Sequence, residues 1–236
     1  MRVSRRCRRL GLRFSNEGLE VVTPLRLRGA SHDFLFVRFA GWIRRQLLKR
    51  DRRRADAAGA GDRLLLRGAE LRVEVASTHL FEEFCGVSAA NGVIRVETSP
   101  GRLDLAAASL RRFFFAEARR DLLARLDVRR RDMEQPHGEV RVREQKSLWG
   151  SCSPGSGTLS FNAKLVMAPP EVLDYIVVHE LAHFKWSRHG VRFWERVARF
   201  CPDYKRHRRW LRENAWRLAI PSTPADLAPF VAPVPR

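Results

Sequence analysis

Between Val172 and His183 the chain sets two histidines and a glutamate among Val172, Leu173, Ile176, Val177, Leu181 and Ala182. Pro169-Pro170-Glu171 just ahead suits a helix start. Proline's missing N–H costs nothing in the first turn, and a carboxylate meets the positive end of the helix dipole. A helix this apolar has to be packed on most sides. Residues four apart lie about 40° apart around a helix axis, so the imidazoles of His179 and His183 face one way. Glu180 projects about 100° from His179 and about 60° from His183, on the same side. This is the mechanical content of H-E-x-x-H: two imidazoles share a divalent ion, and the carboxylate reaches the ion's water without ligating it. Three such polar groups in an apolar helix are costly without that use.

Two histidines do not complete a catalytic zinc site, which takes three protein ligands and a water. His189, six residues after His183, is the expected third ligand: the five residues between let the chain turn back, and Gly190 follows at a bend. Glu195 and Glu213 are the carboxylate alternatives further along. The metzincin pattern has the same histidine spacing, but Trp186 stands at its glycine position and no methionine follows the site. One zinc ion held this way acidifies its water and polarises a carbonyl, with Glu180 as general base. Tyr204 and His207 are the candidates for stabilising an oxyanion.

The rest of the chain alternates short strands with helices, an α+β pattern. Val3 to Thr23 reads as a hairpin around Asn16-Glu17-Gly18, with Leu10, Leu12 and Phe14 alternating with polar or small residues. Ser31 to Lys49 reads as a helix, with Phe34, Val37, Trp42 and Leu48 as its apolar positions. Ala55 to Gly61 is a small-residue linker. Leu64 to Leu66, Leu71 to Val75 and Val93 to Val96 are strands, Asn91-Gly92 a hairpin turn, and Leu103 to Leu126 a long helix. Val140 and Val142 lie on a strand, and Leu159 to Met167 on another. Helices at Val191–Phe200 and Lys205–Leu218 follow, then a Pro- and Ala-rich end. Expected is a β-rich N-terminal lobe over 1–100, a catalytic domain over 101–220, and a frayed tail over 221–236.

Net charge over the 236 residues is +19; the positive charge is nearly all arginine, with runs at 5–9, 52–54, 129–131 and 205–209. A surface so basic attracts polyanions, so a nucleotide or nucleic acid is a second class of partner beside a peptide or protein substrate. The four cysteines form no C-x-x-C pair, which excludes a zinc ribbon and fits a reducing compartment. No apolar run approaches the ~18 residues of a membrane span. A cytoplasmic protein without a membrane anchor is expected.

Several segments together resemble the YgjP-like metallopeptidase family. They are Lys146-Ser147-Leu148-Trp149-Gly150-Ser151-Cys152-Ser153, Leu159-Ser160-Phe161-Asn162, the run from Pro169 to His183, and His189-Gly190 with Phe193-Trp194. The N-terminal hairpin and Gly41-Trp42-Ile43 are similar too, so the likeness runs from about Val3 to Leu218. The resemblance implies a zincin-like domain with a mixed or antiparallel sheet and an H-E-x-x-H active-site helix. It implies His179, His183 and His189 as zinc ligands and Glu180 as the catalytic residue. In zincins the strand ahead of the metal helix lines the cleft, so a peptide is expected to add to the edge of Leu159–Met167. Trp149, Ser151, Asn162 and Tyr204 are candidate substrate or supporting residues. One departure is Leu148, where the family usually has arginine. Cys152 is a weak nucleophile candidate, since no base partner is evident.

Two further functions remain open. The resemblance admits a metal-dependent nucleoside triphosphate pyrophosphatase, although no P-loop is present. The charge admits a basic nucleic-acid-associated protein with a structural metal. The family is related to SprT-like proteases that act on DNA-bound proteins and often add a cysteine-rich ribbon, which this chain lacks.

Overall fold

The computed structural model describes residues 2–4, 11–15, 18–24, 26, 33–48, 61–77, 84–145 and 147–231. They fall into two compact units, Met1–Gly59 and Ala60–Arg236. In the first, β1 (Arg2–Ser4), β2 (Gly11–Ser15) and β3 (Gly18–Pro24) form a sheet of order β1-β3-β2. β2 and β3 are the antiparallel hairpin, and β1 runs parallel to β3. Leu10 and linker residues 55–60 lie outside the described residues.

The helix expected over 31–49 is two helices, α1 (Asp33–Arg38) and α2 (residues 40–48), divided at Phe39. Leu35 is the buried side chain of α1; Phe34, Val37 and Leu48, expected on the apolar face, are exposed. Leu35 lies about 100° from Phe34 and about 200° from Val37 around the helix, so turning it inward turns both outward.

The second unit opens with β4 (Arg63–Leu66), β5 (Ala69–Ser77), β6 (Cys85–Ala90) and β7 (Val93–Thr98), in the order β4-β5-β7-β6. Asn91 and Gly92 join β6 to β7 with φ of 52° and 78°, the paired left-handed conformation that a two-residue hairpin turn requires. Behind this sheet runs α3 (Leu103–Asp132), longer than expected by six residues. Pairs from Asp127 to Arg130 and Arg131, and from Arg129 to Asp132, hold the added turns. Leu110, Phe114, Ala118, Leu122 and Leu126 recur every four residues and are all buried. α3 packs against β6 and β7, which places the β4–β7 sheet in the same unit as the histidines and not in a lobe ending near residue 100.

A second sheet, of order β8-β10-β9, contains β8 (Val140–Arg143), β9 (Gly150–Ser153) and β10 (Thr158–Asn162). β10 lies parallel to β8 and antiparallel to β9. The strand expected to reach Met167 stops at Asn162. There the Asn162 side chain accepts from the Lys164 amide, and Ala163–Met167 turns as a buried 3-10 helix. α4 (Pro170–His183) follows, buried at every position from Val172 to Val178. Arg129 grips Asp174 with two hydrogen bonds of 2.9 and 2.6 Å, fixing α3 to α4. α5 (Val191–Phe200) and α6 (Tyr204–Asn214) then pack on α4.

The segment expected as a frayed tail is packed as far as Val231. Thr223 and Asp226 form a reciprocal cap on α7 (Pro224–Leu227), which lies against α3, and Val231 bridges to Val75 on β5. Leu227 is fully buried. Leu227→Ala is therefore expected to cost about 2–4 kcal/mol, read as a lower urea midpoint with unchanged slope; a truly frayed end would leave the midpoint where it was. Among the described residues no helix is long and apolar enough to cross a membrane.

Candidate metal site

α4 presents His179 and His183 from one face, and the chain beyond it returns His189 to them. The helix closes with the Trp186 amide on the Ala182 carbonyl (3.0 Å), and a Gly190-to-Arg188 backbone bond (2.8 Å) bends the chain around His189. One ring nitrogen from each histidine then lies within 4.8 Å of the others. The Nε2 atoms of His179 and His189 are 3.1 Å apart. Nitrogens bound tetrahedrally to zinc at about 2.05 Å are about 3.3 Å apart, so the spacing fits an ion of that size.

Each ring is held by its surroundings. His183 Nδ1 meets the Trp186 carbonyl at 3.0 Å. A carbonyl only accepts, so Nδ1 carries the hydrogen and Nε2 keeps its lone pair for a metal. Phe193 packs on all three imidazoles, with ring centroids 4.9, 4.6 and 4.8 Å from His179, His183 and His189. Trp194 stacks on His189 at 5.6 Å, and Tyr204 on Trp194 at 5.0 Å. Burial, then the neighbouring His183, His189 and Arg208, push His179 down to about 3. Burial, His183 and Arg208 lower His189. Neutral imidazole is the form that ligates a metal. The His179 Nδ1 is buried without a hydrogen-bond partner.

Glu180 is 4% exposed and has no hydrogen-bond or ion-pair partner among the described residues. Burial pushes its carboxyl up to about 8. The side chain lies directly against β9: a Cβ on Gly150 would come within 2.6 Å of its Oε1 and 2.7 Å of its Cγ. Cys152, two residues on, is raised to about 11 by burial and then by Glu180. As a thiol at neutral pH it is a poor nucleophile.

The edge available to a peptide belongs to β9, not to β10 as expected, because β10 has a strand on each side. The Asn162 amide bonds the Trp149 carbonyl at 2.9 Å, so alternate pairs toward Ser151–Ser160 and Ser153–Thr158 share the ladder bonds. The backbone groups of Gly150 and Cys152 therefore point outward, where no strand pairs among the described residues.

The other expected residues divide. Trp149 and Ser151 are half-buried at and beside this edge. Asn162 is buried, and its side-chain amide is spent on the Gln145 and Leu148 carbonyls (2.8 and 3.0 Å); it braces the loop and does not face a substrate. Leu148 is exposed on that loop. Tyr204 joins the aromatic wall, whereas His207 is buried beside Tyr175 at 6.4 Å and lies outside the cluster. Glu195 and Glu213 are exposed and also outside it. Sequence reasoning missed the parts of Gly150, Phe193 and Arg208, and of Tyr175, whose ring lies 5.8 Å from that of His179. A glycine inside a strand signals close backbone approach, so Gly150 was findable. Tyr175 precedes His179 by four residues on the same face.

Among solved structures the chain is similar to the metallopeptidase zymogen of Pyrococcus abyssi abylysin, with 26% identity, 39% of this chain and 93% of that chain covered, and a TM-score of 0.36. No curated protein matches the chain. A family model for the YgjP-like metallopeptidase domain matches residues 8–214, a span that takes in β9 and all three histidines, and the chain belongs to this family of peptidases.

Proposed function

We propose that the protein is a zinc-dependent peptidase in which His179, His183 and His189 hold the ion and Glu180 is the general base. The observation that carries this is the convergence of three imidazoles within 4.8 Å, with an unpartnered buried carboxylate next to one of them on the same helix. When bound, such an ion supplies Lewis acidity and a water acidic enough to react near neutral pH. Glu180 accepts that water's proton and passes it to the leaving amine. A carboxyl raised toward neutrality by burial suits a group that both takes and returns a proton. The substrate lies extended along the outer edge of β9, bonded to the backbone of Gly150 and Cys152, which brings its carbonyl beside Glu180. α4 is then the active-site helix of a zincin-like catalytic unit, and the first unit a β-rich N-terminal lobe. Free thiols at Cys85, Cys152 and Cys201 support a cytoplasmic location.

The test is a substrate screen with the zinc-loaded and the chelated protein, using a quenched fluorescent peptide library and nucleoside triphosphates. Peptide cleavage that vanishes on chelation and returns with zinc is expected. Release of pyrophosphate from a triphosphate without peptide cleavage would replace this reading with a pyrophosphatase. Steeply salt-dependent DNA binding without any hydrolysis would replace it with a structural metal site in a binding protein.

A further inference from the structure

Arg208 projects from α6 so that its guanidinium carbon lies 5.2 Å from the centre of the Trp194 ring. Trp194 is the ring that stacks on His189 and lies 5.8 Å from His179. Tyr204, one turn earlier on α6, stacks on the same indole and holds it in place. Arg208 is exposed and has no carboxylate partner among the described residues. Arg67 and Arg129 have carboxylate partners, whereas Arg188, Arg192 and Arg209, like Arg208, have none among the described residues; what sets Arg208 apart is its seat on the Trp194 ring. Arg208 therefore lies against the same indole that stacks on His189.

We propose that Arg208 binds a carboxylate of the peptide substrate and makes the protein select peptides with a negative charge close to the scissile bond. The inference rests on the peptidase reading and names its substrate class. An arginine laid on an indole is oriented by the ring, yet keeps its planar fork of N–H donors free for a carboxylate. A guanidinium on the ring that stacks on His189 would repel a cation bound by the three imidazoles. A substrate carboxylate lying between them turns that repulsion into two attractions. Tyr204 acts through this arrangement as the residue that positions Trp194. The carboxylate has two sources, an acidic side chain or a free C-terminus.

Two measurements test it. The first is hydrolysis, by the zinc-loaded full chain, of a peptide cleaved in the library and of its matched forms. These carry Glu, Gln or Lys at each position flanking the cleaved bond, or a free acid or amide C-terminus. The carboxylate form is expected to have a kcat/KM about tenfold above its neutral counterpart, with Lys worst. The form that shows the gain identifies the source. Arg208→Gln should bring the ratio close to one, and Arg208→Lys should keep part of it. The second is calorimetric binding of acetylated Glu-containing and Gln-containing peptides to zinc-loaded Glu180→Gln protein, with and without Arg208→Gln. About tenfold tighter binding of the Glu peptide, lost with Arg208→Gln, supports the inference independently of turnover. A library left uncut by the wild type is the failure of the peptidase reading, and the binding arm then decides Arg208 alone. Equal cleavage of charged and neutral peptides overturns the inference while leaving the peptidase reading intact. So does an Arg208→Gln loss of the same size for both, the mark of oxyanion stabilisation.

Discussion

His183→Ala is expected to strip the protein of its zinc and to abolish hydrolysis. Binding free energies of about 10–16 kcal/mol for four-ligand zinc sites amount to about 3 kcal/mol per ligand, a hundredfold or more in affinity. Loss of this ring has a second effect. It is the imidazole whose tautomer is fixed by the Trp186 carbonyl, and it packs 4.6 Å from Phe193 at the floor of the cluster. Removing it therefore also loosens the turn that carries His189. Metal content after gel filtration and competition against a graded chelator give the affinity. Thermal unfolding gives an independent reading: zinc at a hundred times its dissociation constant should stabilise the wild type by about 2.7 kcal/mol and leave the variant unmoved. Glu195→Ala and Glu213→Ala, at exposed carboxylates outside the cluster, should keep full metal content. Stoichiometric zinc in His183→Ala, or its loss from Glu213→Ala, would mean that other residues hold the ion.

The parts of this arrangement that were legible in the sequence are the local ones. Helix geometry alone puts His179, Glu180 and His183 on one side of α4, and Pro169-Pro170-Glu171 marks its start. Asn91-Gly92 likewise announces its own turn. Strands without large apolar residues were not legible. β6 reads Cys-Gly-Val-Ser-Ala-Ala and β9 Gly-Ser-Cys-Ser, and neither shows the alternation that marks a half-buried strand. The overshoot from Asn162 to Met167 has the opposite cause. Apolar alternation continues there, but Val166 and Met167 are buried as well as Leu165, so the segment is enclosed on all sides and periodicity no longer distinguishes strand from helix. The end of the chain was misread on composition, although Thr223-Pro224-Ala225-Asp226 carries a capping-box pattern. What spacing could not supply is the meeting of Glu180 with Gly150 and of Arg208 with Trp194, because packing between α4, α5, α6 and β9 creates both contacts.

That first contact leads to the other large effect. Glu180→Gln is expected to retain zinc and lose hydrolysis by about 10²–10⁴-fold, the usual contribution of a general base. Gly150→Ala should approach the same loss by a different route. Its methyl group needs the space now filled by Oε1, Cγ and Cδ of Glu180, all within 3 Å of it, so the carboxylate must leave its place. Since both changes act through one carboxylate, Gly150→Ala should add little in a Glu180→Gln background, whereas independent effects would multiply. Stability of the metal-free protein separates the two substitutions further. The carboxyl is at 4.5 when unfolded and about 8 when folded. The stability it contributes is full below 4.5, falls as pH rises between the two values, and is lost above 8. Glu180→Gln removes that decline, so the metal-free variant should exceed wild type by a few kcal/mol at pH 9 and by much less at pH 5, measured by urea unfolding. Gly150→Ala, which ejects the carboxylate toward water, should flatten the same pH profile while lowering stability at every pH. A double variant with the full product of the two activity losses, together with an unflattened profile in Gly150→Ala, would show that Gly150 does not hold Glu180 in place.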